Sequence, residues 1–469
     1  MSVLPITGVT FDAEIEIAII GGGACGLVAA LAAKDAGAEV MVMERDARPA
    51  GSTALSSGMV PASATAMQRA RGVDDSAELM AVDIQRKAHD QNDPAMVAAV
   101  AQASGPTIDW LAAQHEVGFE LVEGFLYPGH SVLRMHALPQ RTGAAMMGAL
   151  LSACETAGID IVGNALVEAL FADADGTVRG LRLRRPDGGS ETIGCRALVL
   201  ACSGFGGNAD MVSRYIPEMA GAKYFGHVGN QGDAVRWGSA LGAASDHMAA
   251  YQGHGSVAVP QEALITWAVM MEGGFQVNAL GQRFSNEHHG YSEQSVAVLG
   301  QPGGVAWDIY DARLHELGMT FEDYRNGFAG GAMKHAQSIE ALAALCGLPA
   351  EALAKTLAHT KTLAAGQDKD TFGRDFTAKP VLQAPFYAVK VTGALFHTQG
   401  GLSIDTNARV LRLDRTPLPN LFAGGGAAAG FSGNTVDGYL SGNGLLAAIV
   451  LGRIAGQSAA DSTASARRA

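Results

Sequence analysis

Three glycines and one acid near the start of the chain have the types and spacing of a site that binds a dinucleotide. Gly21, Gly23 and Gly26 fit the pattern G-x-G-x-x-G, and Glu44 follows after about twenty residues. The first glycine allows a tight turn, the second lets a pyrophosphate approach the backbone, and the third lets helix and strand pack closely. Glu44 can accept hydrogen bonds from both hydroxyls of an adenosine ribose.

The residues around this pattern predict the elements that would position it. An apolar run over 15–20 is typical of a buried parallel strand, and an alanine-rich helical pattern runs over 27–36. A second apolar run over 40–43 ends at Glu44. The helix N-terminus would offer free N–H groups and a partial positive charge to the phosphates. A lone glycine pattern is weak evidence, but strand, helix, strand and acid in register predict a Rossmann-like α/β domain that binds a dinucleotide.

Composition limits the remaining classes. The chain of 469 residues can bury a large core and form more than one domain. Its net charge of −13 comes from acids and bases that are mixed along the chain, so no nucleic-acid partner is expected. We find no signal peptide and no apolar stretch that could span a bilayer, and we expect a soluble, cytoplasmic protein. The cysteines, which form no CxxC pair and no metal-binding cluster, are Cys25, Cys154, Cys195, Cys202 and Cys346.

Changes in periodicity along the chain predict a split domain, an insertion and a tail. Four short strands between 159 and 193 resemble a β-meander, and the pattern changes to mixed strands and helices after about residue 249. We expect the first part of the dinucleotide-binding domain at 1–248, an inserted domain at 249–384, the second part at 385–460, and a disordered tail at 461–469.

Several ordered motifs resemble one family of flavoproteins. Besides the opening fingerprint, they are Gly51-Ser-Thr-Ala-Leu-Ser-Ser-Gly58, Leu198-Val-Leu-Ala-Cys-Ser-Gly-Phe-Gly-Gly-Asn208, Gly274-Phe-Gln-Val-Asn-Ala-Leu-Gly-Gln-Arg-Phe-Ser-Asn-Glu287, His397-Thr-Gln-Gly-Gly401 and Ser441-Gly-Asn-Gly-Leu445. Over nearly its whole length the chain is similar to the flavoproteins grouped with fumarate reductase, succinate dehydrogenase flavoprotein and 3-ketosteroid Δ1-dehydrogenase. The resemblance implies FAD, a split FAD-binding domain with a β-meander, and an inserted α+β capping domain over the flavin.

The same resemblance implies which residues contact FAD. They are Gly21, Gly23, Ala24, Cys25, Gly26, Glu44, Arg45, Gly51, Ser52, Thr53, Ser57, Gly58, Val167, Gly204, Asp233, Gly425, Asn443 and Leu445. Members of the family with covalent flavin use a histidine near the Gly-Ser-Thr loop. Residues 45–60 contain no histidine, so noncovalent FAD is expected.

The chain departs from fumarate reductases where those enzymes hold a dicarboxylate. His254 and His397 match the two histidines of that site. Tyr291 and Tyr439 stand where the two arginines would be, and Trp267 stands where a glutamate would be. A desolvated carboxylate needs a paired charge, so a C4-dicarboxylate substrate is not expected.

Tyr291 resembles the base of the ketosteroid dehydrogenases. The resemblance also matches Tyr127 to their additional tyrosine and Gly438 to the glycine that binds the ketone oxygen, whereas Asn434 replaces a further tyrosine. It implies desaturation of the α,β C–C bond of a neutral, cyclic or steroid-like ketone. The base removes the α-proton, flavin N5 takes the β-hydrogen as hydride, and donors stabilise the enolate. As base, Tyr291 would need a pKa lowered from about 10.

Two alternatives remain open. The protein could be an ene-reductase that takes electrons from a partner and reduces an enone or enoate, or a flavoprotein that only carries electrons. No second dinucleotide fingerprint is present, so the expected electron acceptor is a quinone, oxygen or a carrier protein rather than NAD(P)H. We expect the inserted segment to act as a lid that excludes water from the site.

Overall fold

The computed structural model describes residues 2–468 and shows a mixed α/β protein. The strands of the described residues are β1 (Ser2–Pro5), β2 (Ala13–Ile20), β3 (Val40–Met43), β4 (Val60–Pro61), β5 (Glu120–Leu121), β6 (Met135–Ala137), β7 (Asp160–Val162), β8 (Leu166–Ala172), β9 (Val178–Arg184), β10 (Ser190–Leu200), β11 (Lys223–Tyr224), β12 (Ser245–Asp246), β13 (Tyr251–Ala258), β14 (Phe275–Val277), β15 (Val305–Asp311), β16 (Met333–Ala336), β17 (Phe386–Thr398), β18 (Gly401–Leu402), β19 (Arg409–Leu411) and β20 (Pro417–Ala423).

Helices alternate with these strands. The α-helices of the same residues are α1 (Ala24–Asp35), α2 (Gly51–Ala54), α3 (Ala66–Ala70), α4 (Ala77–Lys87), α5 (Pro94–Gln114), α6 (Gly143–Thr156), α7 (Ala209–Tyr215), α8 (Asp233–Ala240), α9 (Ala268–Met271), α10 (Tyr291–Leu299), α11 (Ala312–Gly318), α12 (Glu322–Ala329), α13 (Ile339–Cys346), α14 (Ala350–Ala364) and α15 (Asn443–Arg468). Short 3₁₀ helices span Pro217–Met219, Pro302–Gly304, Gly425–Ala427 and Val436–Gly438. In this part of the chain, no helix is both long and apolar enough to cross a membrane.

The larger sheet contains the predicted dinucleotide-binding elements. β2 pairs in parallel with β3 and with β10, and β10 also pairs in parallel with β20. The apolar run of β2 is buried, as expected for a strand covered on both faces, and α1 follows directly after it. The predicted strand, helix and second strand are therefore present in order.

The β-meander is smaller than the sequence predicts. Antiparallel pairs join β8 to β9 and β9 to β10. The first of the four predicted strands is β7, which pairs in parallel with β3 on the opposite edge of the sheet and does not belong to the meander. The last predicted strand continues as β10, whose second half pairs with β2 and β20 in the core.

The second sheet is the centre of the inserted domain, and it corrects one predicted boundary. β17 pairs with β11, β13, β15 and β16, while β15 also pairs with β14. The prediction that 385–460 returns to the FAD-binding part is therefore wrong for residues 386–398, which form the central strand of this sheet. A strand that leaves one domain and enters another has the same apolar pattern as any buried strand, so the sequence does not mark the change.

The end of the chain is helical. The prediction of a disordered tail at 461–469 is wrong for residues 461–468, which continue α15, while residue 469 lies outside the described residues. Ala455, Ala459 and Thr463 are buried at helical spacing. Their small side chains let α15 pack on the core, although the same residues resemble a flexible tail in composition.

Candidate active site

A cleft lies where β2 meets α1. Gly21 has φ +106°, and a Cβ there would lie 2.5 Å from the carbonyl oxygen of Ala201. A Cβ at Gly26 would overlap the carbonyl oxygen of Gly21, so this glycine allows the close contact of helix and strand. At Gly23, in contrast, the nearest atom to such a Cβ is Thr53 Oγ1 at 3.5 Å, which leaves the backbone open to a ligand. The predicted residues that line the cleft are Gly21, Gly23, Ala24, Cys25, Glu44, Arg45, Gly51, Ser52, Thr53, Val167, Asp233 and Gly425.

Charged and unpaired polar groups in this cleft fit a dinucleotide. The Glu44 carboxylate accepts hydrogen bonds from the backbone N–H groups of Gly22 (2.8 Å) and Asp46 (3.0 Å), which fix it at the end of β3. Arg45 forms an ion pair with Asp233 at 3.2 Å. Asp233 Oδ1 and Trp237 Nε1 are buried in the cleft without a hydrogen-bond partner. Buried polar atoms are normally satisfied, so this acceptor and this donor indicate a bound ligand.

Four of the predicted cofactor residues do not line the cleft or the cavity beside it. Gly26 lies between α1 and β2, and the Gly204 carbonyl accepts a hydrogen bond from Gly232 N–H at 3.0 Å. Gly58 N–H donates to Ser56 Oγ at 3.1 Å, and the Asn443 amide donates to Ser432 Oγ at 3.1 Å. Asn443 Oδ1 is buried without a hydrogen-bond partner, and contact of these four residues with FAD stays a prediction. The indole of Trp237 was not predicted. Its position four residues after Asp233 places both on one face of α8.

An aromatic cavity of about 200 Å³ adjoins the cleft. Residues that line both are Ser52, Thr53, Ser203, Gly425, Gly426 and Ala448, and the predicted residues Ser57 and Leu445 line the cavity alone. Its wall also includes aromatic residues from distant segments, among them Tyr127, the β13 residue His254, Trp267, the α10 residue Tyr291, the β17 residue His397, and Tyr439. The fold thus brings together five of the six predicted catalytic residues.

Gly438 is the sixth, and the structure does not place it at the cavity. Its N–H donates to the Thr435 carbonyl at 3.4 Å, and a Cβ on it would overlap the Ser432 carbonyl oxygen. The prediction that this N–H binds a ketone oxygen is therefore wrong. Gly442 and Gly444 are the glycines of that loop that line the cavity, and Gly444 N–H donates to the Tyr439 hydroxyl at 3.3 Å.

Both histidines are neutral hydrogen-bond donors. Burial lowers the pKa of His254 to about 3 and that of His397 to about 4. Ser256 N–H donates to His254 Nδ1 at 3.1 Å, and the Gln399 amide contacts His397 Nδ1 at 3.1 Å. With Nδ1 accepting, the proton of neutral His254 lies on Nε2. His397 Nδ1 also lies 3.4 Å from the Thr398 carbonyl oxygen, which is an acceptor, so the contacts of His397 allow either tautomer.

Tyr291 lies among groups that contact both its ring and its hydroxyl. The ring stacks on His254 with centroids 4.9 Å apart, and the Tyr439 ring meets it edge-on at 6.1 Å. Burial raises the pKa of Tyr291 to about 12, although hydrogen bonds from Ser441, Tyr439 and the Gly442 N–H act in the opposite direction. The sequence-based requirement for a lowered pKa is thus not met, and Tyr291 is protonated at neutral pH. Burial also raises the pKa of Tyr127, whose hydroxyl contacts Met59 Sδ at 2.9 Å.

Comparison with protein families identifies the cofactor. Residues 16–445 match the family described as FAD binding domain. The chain belongs to this family. FAD is therefore the dinucleotide that the cleft holds, and the chain is an FAD-dependent oxidoreductase acting on carbon–carbon bonds. Noncovalent attachment stays a prediction, which release of FAD into the supernatant after acid precipitation would test.

The chain is similar to flavoproteins that differ in their named substrates. It is 32% identical over 449 residues to the probable fumarate reductase Ifc3 of Shewanella frigidimarina (strain NCIMB 400), covering 95% of this chain and 74% of that protein. An open conformation of a flavocytochrome c3 fumarate reductase superposes with a TM-score of 0.80 at 30% identity and covers 97% of this chain and 79% of that one. A 3-ketosteroid-Δ4-(5α)-dehydrogenase of Rhodococcus jostii RHA1, in complex with 4-androstene-3,17-dione, superposes with a TM-score of 0.76 at 25% identity and covers 98% and 99%. The expected family and fold class, with a capping domain, are confirmed.

Charge distinguishes the cavity from the FAD cleft. No lysine or arginine is among the described residues that line the cavity, and its one acid is Asp323 of α12. Trp267 Nε1, in contrast, is a buried donor without a hydrogen-bond partner. The ring of Trp267 meets His254 edge-on at 5.7 Å and Tyr291 at 6.4 Å. The cavity therefore offers neutral donors and no cation to a substrate.

Proposed function

We propose that the protein reduces the C=C bond of a neutral α,β-unsaturated carbonyl compound. The observation that carries this proposal is the absence of lysine and arginine among the described residues that line the cavity, in which Tyr291 and Tyr439 stand where the resemblance to fumarate reductases places arginines. A carboxylate substrate would lose its hydration there without gaining a paired charge, which costs several kcal/mol. A ketone or aldehyde needs only neutral donors. The substrate class is therefore a neutral carbonyl compound.

Three side chains have the chemistry to bind the carbonyl oxygen. Trp267 offers an unpaired indole N–H, His254 carries its proton on Nε2, and neutral His397 carries one ring proton. Such donors stabilise negative charge that develops on oxygen as an enolate forms. They replace the Gly438 N–H in that role. Because both imidazoles stay neutral well below pH 7, they act as donors and not as proton sources.

Bound FAD supplies the hydride chemistry at its N5 atom. The complementary group on the protein is Tyr291, whose protonated hydroxyl can give a proton to the α-carbon. Reduction requires an acid at this position, and a tyrosine whose pKa is about 12 has its proton in place at neutral pH. Desaturation would require that proton to leave first. The direction of reduction also agrees with the similarity to a probable fumarate reductase and a flavocytochrome c3 fumarate reductase.

Desaturation of a ketone is the second candidate, and one observation favours it. The Tyr291 oxygen is surrounded by donors, namely the Ser441 and Tyr439 hydroxyls and the Gly442 N–H, each of which stabilises a phenolate. A phenolate is the form a base requires. The similarity to a 3-ketosteroid-Δ4-(5α)-dehydrogenase fits the same chemistry. In both directions Tyr291 exchanges a proton with the α-carbon, so one residue serves either reaction.

Stopped-flow spectroscopy tests the proposal without knowledge of the natural electron partner. The holoenzyme is reduced anaerobically with dithionite and mixed with trans-4-phenylbut-3-en-2-one or with fumarate. We expect the enone to reoxidise the flavin at least about tenfold faster than fumarate, because only fumarate must desolvate two charges. Faster reoxidation by fumarate would overturn the neutral-substrate assignment. The reverse direction is tested by mixing oxidised holoenzyme with the matching saturated ketone. If the ketone reduces the flavin faster than the enone reoxidises it, desaturation is favoured.

A further inference from the structure

The cavity wall formed by the inserted domain contains one carboxyl group, on Asp323. Asp323 lies in the first turn of α12, and Phe321, two residues earlier, lines the same cavity. The Phe321 ring lies 5.8 Å from that of Phe125, which in turn lies 4.7 Å from Tyr127. Asp323 is thus an acid at the edge of an aromatic surface, and the mechanism proposed above does not use it.

Nothing in the described residues pairs with this carboxylate. It makes no hydrogen bond and no ion pair within that part of the chain, and its neighbour Glu322 is also an acid. The Arg141 guanidinium, which lies over the Phe321 ring at 5.8 Å, forms no ion pair with Asp323. Burial, followed by the charge of Glu322, raises the pKa of Asp323 to about 6, which still leaves the group ionised at neutral pH. An ionised acceptor that faces a cavity without a partner is complementary to a donor on the ligand.

We propose that Asp323 is a specificity residue that accepts a hydrogen bond from a hydroxyl or amino group of the substrate. This inference rests on the proposed function, and it narrows the substrate to a carbonyl compound that carries a second, hydrogen-donating group. The aromatic wall beside Asp323 suits a planar ring that bears this group. An ether or ketone oxygen at the same position would face a carboxylate and would be disfavoured.

Two ligands of similar shape test whether Asp323 binds a hydrogen-bond donor. They are trans-4-(4-hydroxyphenyl)but-3-en-2-one and its 4-methoxy analogue, which share the enone and differ in one O–H. Binding is measured at pH 7.5 from the change in flavin absorbance of the oxidised holoenzyme, which requires no turnover. We expect the wild-type protein to bind the hydroxy compound about tenfold more tightly, as for a hydrogen bond to a charged group.

Variants assign this preference to Asp323. Asp323→Leu should abolish the preference, and Asp323→Asn, which keeps an acceptor without the charge, should leave about threefold. Glu322→Gln is the matched control, because Glu322 is exposed and does not line the cavity, and it should keep the wild-type ratio. Flavin content reports whether each variant folds, and Asp323→Asn serves if the leucine variant does not.

The outcomes distinguish this inference from the proposed function. A wild-type protein without preference, or a preference that survives Asp323→Leu, would overturn the role of Asp323. A different outcome is that the binding ratio behaves as expected but neither enone reoxidises the reduced holoenzyme. In that case the proposed reaction is wrong, while the role of Asp323 as hydrogen-bond acceptor stands. An amino analogue, trans-4-(4-aminophenyl)but-3-en-2-one, then shows whether an N–H donor is bound more or less tightly than an O–H donor.

Discussion

The FAD cleft and the cavity beside it share a wall, yet they are built in different ways. The cleft is formed at the turn between β2 and α1, and its main features are backbone geometry at Gly21 and Gly26 together with the charged pair Arg45–Asp233. The cavity is formed by side chains from both domains, and its wall carries no cation in the described residues. One site recognises a charged cofactor by backbone and charge. The cavity offers its shape and neutral donors, which under the proposed function recognise a neutral substrate.

This difference separates the part of the site that is common to a family from the part that sets the reaction. A pyrophosphate demands an open backbone and a helix N-terminus, which few sequences satisfy. A substrate cavity can exchange arginine for tyrosine without disturbing the fold, because the scaffold around it stays the same. Changes in the cleft should therefore abolish cofactor binding, whereas changes in the cavity should alter rates while FAD stays bound.

The largest effect is expected at Gly23. Its backbone has φ −73° and ψ −177°, which any residue adopts, and a Cβ would meet only Thr53 Oγ1 at 3.5 Å. Gly23→Val should therefore fold, yet its side chain would occupy the approach to the pyrophosphate. We expect FAD affinity to fall by more than about 100-fold, measured by flavin fluorescence, with an unchanged circular dichroism spectrum. Gly118→Ala, in open space, is the control. Full FAD content in Gly23→Val would contradict the assignment of the cleft.

The cleft was also the part that could be predicted from the sequence. Its signals are local, because a turn, a helix and an acid at fixed spacing lie within about 30 residues. The sequence-based prediction of the cleft also differs from the structure at some residues. Asn443 and Gly204 lie in the predicted motifs but do not line the cleft, and the direction in which a group points is not readable from spacing. Trp237 carries no motif at all, and only its unpaired N–H in the folded chain marks it.

The next largest effect is expected at Tyr291, on the cavity side of the comparison. Tyr291→Phe keeps the ring that stacks on His254 and removes the hydroxyl that exchanges the proton. The rate of flavin reoxidation by an enone should fall by a factor on the order of 10², with FAD content unchanged. Tyr387→Phe, in the sheet of the inserted domain and away from the cavity, is the control. Equal rates for wild type and Tyr291→Phe would exclude this tyrosine as the proton donor.

A smaller effect is expected at Tyr439. Its hydroxyl accepts from Gly444 N–H and is one of three donors toward the Tyr291 oxygen. Because Ser441 and the Gly442 N–H remain, Tyr439→Phe should lower the rate by only about tenfold. The double variant Tyr291→Phe/Tyr439→Phe should be little slower than Tyr291→Phe alone, since the hydroxyl that Tyr439 assists is then absent. Fully additive losses would show that Tyr439 acts on the substrate directly.

The cavity could be predicted only in part. Five of the residues that line it were predicted to be catalytic from resemblance to known motifs, yet they lie between positions 127 and 439, and no pattern of spacing joins them. Gly438 shows the limit of this approach, because its N–H donates to the Thr435 carbonyl and Gly438 does not line the cavity. The raised pKa of Tyr291 could not be predicted either, because it depends on burial by both domains. Asp323 lies outside every motif.

The smallest effect is expected at an ion pair that joins a helix of the FAD-binding part to the helix that carries Tyr291. Lys87 of α4 forms an ion pair with Glu293 of α10, the helix that begins at Tyr291, and its ammonium also donates to the His289 carbonyl at 3.0 Å. Burial raises the pKa of Glu293, and the charge of Lys87 opposes this shift. Lys87→Met removes the opposing charge, so the pKa of Glu293 should rise further. The midpoint of thermal unfolding should fall by about 1–3 °C.

The pH dependence of this loss follows from the sign of the shift. A carboxyl group whose pKa is higher in the folded than in the unfolded protein binds more protons when folded, so stability falls as pH rises through that range. Lys87→Met should therefore be closer to wild type at pH 5 than at pH 8. The double variant Lys87→Met/Glu293→Gln should remove this dependence, because no buried charge is left. If the double variant unfolds at the same temperature and with the same pH profile as Lys87→Met, the lysine acts through its bond to His289.

If substrate protects residues 250–380 from proteolysis equally in wild type and Lys87→Met, closure of the inserted domain does not depend on this pair.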